Sequence, residues 1–254
     1  MFTFGLEVGG FIGIVLSAGF VYFEVGKFAA PQVPKSLFDE SKAIVAYIVG
    51  LFIGIPLVVV WIFFEFAVAG GAWLSALVDV LLLVAAGEIA QTALLRTHFF
   101  GFTSADPFYA LSTRAGIGGL LVVGTVAEYM SGPVTALGLT LAVFQSFALV
   151  LIQAAAALRG LLPVPTASSA LRQRLGSFFL VLVLYVLTVL GQAYGVEYGL
   201  AGASLAIAGS VFLYWDARPT VLTPLRRKGA ATAAPPGSSR FDRLPSGDGK
   251  RKGS

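Results

Sequence analysis

GIGGLLVVGTVAEYMS, residues 116–131, is the stretch on which the fold turns. With residues 199–214 it is one of the two shortest apolar segments of the 254-residue chain, and it is the hardest to delimit. Counted as a membrane span it makes seven; left out, six. The others cover residues 5–26, 43–66, 71–95, 134–158, 176–194 and 199–214. A bilayer-crossing helix needs about 20 predominantly apolar residues, which sets the scale for all of them.

The charges decide the count. Lys and Arg accumulate in cytoplasmic segments of membrane proteins. With seven spans and the N-terminus outside, the inner segments hold Lys27, Lys35 and Lys42, then Arg96 and Arg114, then Arg159, Arg172 and Arg174. The C-terminal tail holds the remaining nine, so all 17 Lys and Arg fall on one side. Removing residues 116–131 from the count destroys this split. The fold class expected is therefore an all-α integral membrane bundle of seven helices, N-terminus outside and C-terminus cytoplasmic, in a multi-pass protein of the cell membrane.

Composition agrees. Hydrophobic residues make up 57% and charged residues 12%, against about 25% charged in a soluble domain. A soluble globular or disordered protein is excluded. The absence of Cys removes disulfides, thiolate metal sites and cysteine catalysis, and a single His, His98, removes His-cluster metal sites. The N-terminal MFTFGLEVGG lacks the basic residues that open a secretory signal, so the first span reads as a retained helix. Trp61, Trp73, Tyr129, Tyr194 and Tyr198 fall at the outer boundary, and Tyr22, Tyr214 and Trp215 at the inner one, as aromatic belts.

Short outer connections make spans 2–3, 4–5 and 6–7 tight hairpins. In the longer inner connections, Ser36-Leu-Phe-Asp39 has the Ser-x-x-acid form of a helix start. Phe99, Phe100, Phe102, Phe108 and Tyr109 crowd around Asp106-Pro107. They suggest either a short helix lying among the headgroups or a loop folded over the bundle base. The domain boundary falls at 216. Residues 217–254 are rich in Pro, Gly, Ser and Ala, carry nine basic and two acidic residues, and read as a disordered tail. An anionic lipid leaflet would attract that tail; as a topology determinant it needs no partner at all. Nothing suggests nucleic acid.

Lys27-x3-Pro31-x2-Pro34 and Arg159-x3-Pro163-x-Pro165, at the inner ends of spans 1 and 5, hint at a parallel duplication. The three–one–three plan it would make resembles the SWEET transporters and their PQ-loop relatives. The second copy lacks the Gln that follows Pro31, and that reading is not adopted. Seven spans also resemble microbial rhodopsins, which hold retinal on a Lys of the last helix. Here GLAGASLAIAGSVFLY, residues 199–214, has no Lys, and covalent retinal is excluded.

Small residues recur at intervals of four: Gly5, Gly9 and Gly13 in span 1, and Gly202, Ala206 and Ser210 in span 7. Such stripes let backbones approach closely, either within the bundle or across a homo-oligomer seam. The acidic residues carry the functional reading. Asp79 and Glu88 lie in span 3 on opposite faces, Glu88 sharing its face with Gln91, and Glu128 lies in the outer part of span 4. Glu7, Glu65 and Glu197 fall near the outer rim. Ionisable groups at membrane depth suggest function by default, and no Arg or Lys is placed within a span to pair with them. No phosphate loop, HExxH, DDxxD, metal set or cofactor motif is present, and serine hydrolysis lacks a His partner; an enzyme working with carboxylates alone, such as an isoprenoid cyclase, stays open. Two functions follow: a small permease or channel for a cation or proton, using Asp79, Glu88, Gln91 and Glu128, or a non-catalytic subunit of a membrane assembly whose polar residues bind helices together. A polar cavity reaching Asp79 from outside would favour the first. A sealed bundle with an exposed small-residue stripe would favour the second.

Overall fold

The computed structural model describes residues 2–28, 39–97, 106–131, 134–162 and 167–233. These form eight helices: α1 (Phe2–Phe28), α2 (Glu40–Ala69), α3 (Trp73–Leu95), α4 (Asp106–Ser131), α5 (Ala136–Arg159), α6 (Ala167–Thr188), a short α7 (Leu190–Tyr194) and α8 (Val196–Ala233). Seven segments are long and apolar enough to cross a membrane, α6 and α7 together supplying the sixth. The chain is an all-helical, polytopic membrane protein.

Surface and core follow a lipid solvent. Phe11, Phe52, Leu74 and Ile89 are more than 60% exposed along the flanks, where bilayer hydrocarbon replaces water. The core is α4, wrapped by α1, α2 and α5. Its glycines explain the position, because each clears a path for a different neighbour. A Cβ at Gly116 would strike the Tyr47 carbonyl of α2, one at Gly118 would meet Gln153 of α5 at 3.3 Å, and one at Gly119 would meet Ser17 Oγ of α1 at 2.5 Å. In return, α1 presents Gly5, Gly9 and Gly13 to α4; a Cβ on Gly9 would lie 2.9 Å from the Val123 carbonyl. Ser17 ends this stripe, donating to the Gly13 carbonyl at 2.6 Å and hydrogen-bonding Tyr47 Oη at 2.8 Å. The first small-residue stripe is therefore an internal seam. The second is also internal: Gly202 faces the Leu187 carbonyl, and Ala206 and Ser210 are fully buried.

Tight turns join helices at the end of the bundle that carries no Arg or Lys. Gly71 and Gly195 adopt φ of 71° and 101°, backbone that side-chain-bearing residues rarely enter, and so let α2 reverse into α3 and α7 into α8.

Four expectations need correction. The fourth span begins at Asp106, ten residues before Gly116, so Arg114 lies inside it and not beside it. A helix sheathed in protein need not be apolar enough for lipid, which is why its first third escaped a hydropathy reading. Phe108 and Tyr109 are accordingly buried in the first turns of α4, not in a separate interfacial helix; Phe99, Phe100 and Phe102 lie outside the described residues. Trp61, assigned to an aromatic belt, is wholly buried, whereas Trp73 and Tyr194 do stack at the rim with ring centroids 6.2 Å apart. Finally, α8 runs through the composition change at 217 and stays helical to Ala233; residues 234–254 lie outside the described set. At the start of α2, Asp39 itself is the cap, accepting from Ser41 N at 2.9 Å; Ser36 is not described.

Candidate functional site

Arg114 anchors a polar cluster about 12 Å from the start of α4, taking 1.5 Å of rise per residue. It is 2% exposed. Its Nη2 meets Glu88 Oε1 of α3 at 2.5 Å, Nε donates to Gln91 Oε1 at 2.7 Å, and Nη1 donates to Gln153 Oε1 of α5 at 3.2 Å. Gln91 Nε2 in turn donates to the Ala157 carbonyl at 3.2 Å, and Gln153 Nε2 to Tyr185 Oη of α6 at 2.5 Å. Gly87 makes the room, since a Cβ there would collide with the guanidinium. Two helices, α3 and α5, thus accept from the guanidinium carried by α4, and α6 joins through Gln153. The expectation that no basic residue within the membrane pairs with the acids is overturned: Glu88 has Arg114.

Glu88 is also the end that meets solvent space. Its side chain is 38% exposed and lines a cavity of about 480 Å³ between α3, α5 and α6. The cavity opens at the arginine-bearing end of the bundle, with Arg96, Arg159 and Arg174 around it.

A second cluster lies near the opposite end. Glu65 of α2 is completely buried, not placed at a hydrated rim. Its carboxyl lies within hydrogen-bonding reach of Glu128 on α4. Thr125 Oγ1 donates to Glu65 Oε1 at 3.3 Å and receives the Trp61 indole N–H at 2.8 Å. The Oε2 atoms of Glu65 and Glu128 are both buried and accept from no donor among the described residues. The Tyr129 hydroxyl sits beside this pair and beside Gln145 of α5. Gln145 donates to the Thr188 carbonyl at 2.5 Å, where α6 breaks, and its own Oε1 is buried without a donor. Two carboxyl groups thus lie side by side, with no basic side chain bonded to either among the described residues, an arrangement in which like charges would repel.

Aromatic rings stand between the clusters. The Trp61 ring packs against Tyr185 at 5.7 Å and Phe64 at 5.4 Å. Tyr185 closes the first hydrogen-bond chain and Trp61 opens the second, but an indole N–H only donates, and an arginine does not surrender its proton. The two clusters are adjacent stations without a continuous wire.

Of the residues singled out in the sequence, Glu88 and Gln91 come together on Arg114, and Glu128 joins Glu65. Asp79 joins neither. It is half-buried on α3, with no hydrogen bond or ion pair among the described residues, and the cavity at Glu88 does not include it. Gln153 was expected only as a hydrogen-bonding group for the acids; Arg114 was read as a flanking charge, Glu65 as a rim acid, and Tyr185 was not among the candidates. For Glu65 the usable signal was matching height with a partner: Glu65 and Glu128 each lie a turn from the same end of two parallel helices. Among the described residues no three His, Cys, Asp or Glu side chains converge to hold a metal ion. No family model, curated protein or solved structure matches this chain.

Proposed function

We propose that this protein is a small permease that handles protons through its intramembrane carboxylates. The Glu65–Glu128 pair carries the proposal. Sharing one proton, it is stable in a low-dielectric interior; losing it, the pair becomes two contacting anions, a state that must expel Glu128 toward water or recruit a cation. The loading and unloading of such a pair is the kind of event that drives intramembrane carboxylate transporters. The Trp61–Tyr185–Phe64 plug favours alternating exposure over an open channel. The distribution of Lys and Arg would set the arginine-lined cavity on the cytoplasmic face and the Glu65–Glu128 pair toward the outside.

The full chain, purified and reconstituted in liposomes with an internal pH dye, provides the test under an imposed proton gradient. Wild type should collapse the gradient. Glu65→Gln keeps shape and hydrogen bonding but removes the shared proton, and should slow that collapse at least about tenfold with an unchanged melting curve. Asp79→Asn should not slow it; loss there would move the site to Asp79. The accessory-subunit reading draws on the three interhelical hydrogen bonds of Arg114. It expects no flux of protons, Na⁺, K⁺, Mg²⁺ or Ca²⁺ by wild type, and that outcome refutes the permease.

A further inference from the structure

The cavity beside Glu88 has a composition that proton handling does not use. Three arginines border it, and each stands at the end of a span: Arg96 caps the C-terminus of α3, Arg159 is the last residue of α5, and Arg174 begins the sixth span. All three are therefore at the depth where hydrocarbon gives way to headgroups. The one carboxylate in the lining, Glu88, is bound to Arg114. Arg159 Nη2 pairs with Asp216 at 2.6 Å, yet its Nε is buried without a partner. Arg96 and Arg174 have no ion pair among the described residues. The cavity thus presents two uncompensated positive charges and one orphaned buried donor.

Its remaining wall is apolar. Ile89 and Leu175, 68% and 47% exposed, stand on the lipid-facing flank, and Phe178 and Val181 continue inward. The cavity is walled by α3, α5 and α6. A site that is cationic at headgroup depth and apolar toward the hydrocarbon matches an anion carrying an acyl chain. A small soluble anion would leave the apolar wall unfilled. We propose that this cavity binds the phosphate-bearing headgroup of an anionic phospholipid, its phosphate against Arg96, Arg174 and Arg159 Nε and an acyl chain along Ile89 and Phe178. Basic pockets between membrane helices bind lipid headgroups in this way. The proposal does not depend on proton movement by the protein.

Native mass spectrometry of the full chain, delipidated in detergent and titrated in turn with phosphatidylglycerol, phosphatidylcholine and inorganic phosphate, tests this. One phosphatidylglycerol per chain should be retained in preference to phosphatidylcholine. The double variant Arg96→Gln/Arg174→Gln should weaken that binding about thirtyfold, from the value of each basic residue near an anionic headgroup. Its melting curve in detergent should stay unchanged, because neither arginine pairs with a described residue. Arg226→Gln/Arg227→Gln, in the basic stretch of α8, should leave the retained lipid in place. Equal retention of the two lipids, or retention unaffected by the double variant, overturns the proposal. Displacement of the lipid by millimolar inorganic phosphate would assign the cavity to a soluble phosphate instead and overturn the lipid assignment.

Discussion

Replacing Arg114 with Met keeps most of the side-chain volume and removes the charge from the centre of the bundle. Three side-chain hydrogen bonds disappear, to Glu88, Gln91 and Gln153. Interhelical hydrogen bonds in bilayer proteins average about 0.6 kcal/mol and reach about 1.7, so three of them span roughly 2–5 kcal/mol. The orphaned groups adjust that figure in opposite directions. Glu88 is open to the cavity and can be hydrated, which softens its loss. Gln91 and Gln153 are 3% and 2% exposed, so their freed carbonyl oxygens cannot be. A destabilisation of about 3 kcal/mol is expected. Glu88→Gln retains an acceptor and should cost about 1 kcal/mol, and the double variant should show about 1 kcal/mol of coupling, as expected for contacting charges of which one is partly hydrated. Reversible unfolding in mixed dodecyl maltoside and SDS micelles, followed by tryptophan fluorescence, measures all three, since Trp61 lies in the core. A loss under about 1 kcal/mol for Arg114→Met, or zero coupling to Glu88, refutes the reasoning and returns the start of the fourth span to Gly116.

Gly9→Leu should destabilise the bundle by about 2–3 kcal/mol in the same assay, because its Cβ would press on the Val123 carbonyl. Gly10→Leu, whose Cβ meets nothing within 4 Å, should stay within about 0.5 kcal/mol of wild type. Equal effects would place the stripe against lipid. Reporter fusions at Arg227 and at Val196 should report opposite sides of the membrane, with the Arg227 fusion cytoplasmic; equal sidedness would remove a span.

The seven spans were legible because hydropathy and charge distribution are properties of segments, and they survive any uncertainty about helix ends. Short hairpins, and the small-residue stripes as contacts, were legible for the same reason. What hydropathy could not show is which helix the others surround. α4 scored as the weakest span because it is the most enclosed, and its enclosure admits Ser112, Thr113 and Arg114 at positions that lipid would reject. The same error hid the site. With Arg114 counted as a flanking charge, Glu88 looked unpaired and seemed equivalent to Asp79, although only Glu88 has a basic partner across the α3–α4 contact. Glu65 was misjudged by depth alone. Nearness to the end of a span implies hydration only for a side chain that faces outward, and Glu65 faces α4.

The enclosure of α4 has a consequence for how the protein is made. A helix entering the bilayer on its own with Arg114 at depth faces a penalty of about 3 kcal/mol for that residue, with little in its glycine-rich sequence to offset it. Synthesis proceeds from the N-terminus, so α1, α2 and α3 precede it. They already contain what α4 lacks: Glu88 and Gln91 for the guanidinium, and Gly9 and Gly13 of α1 with Gly50 of α2, which faces Thr113, for its backbone. Only Gln153 and Tyr185 arrive afterwards. Membrane insertion of α4 is thus a capacity of the assembled first half of the chain. A nascent chain carrying α1–α4 should retain α4 in the bilayer, while α4 placed alone in a leader-peptide fusion should pass through it.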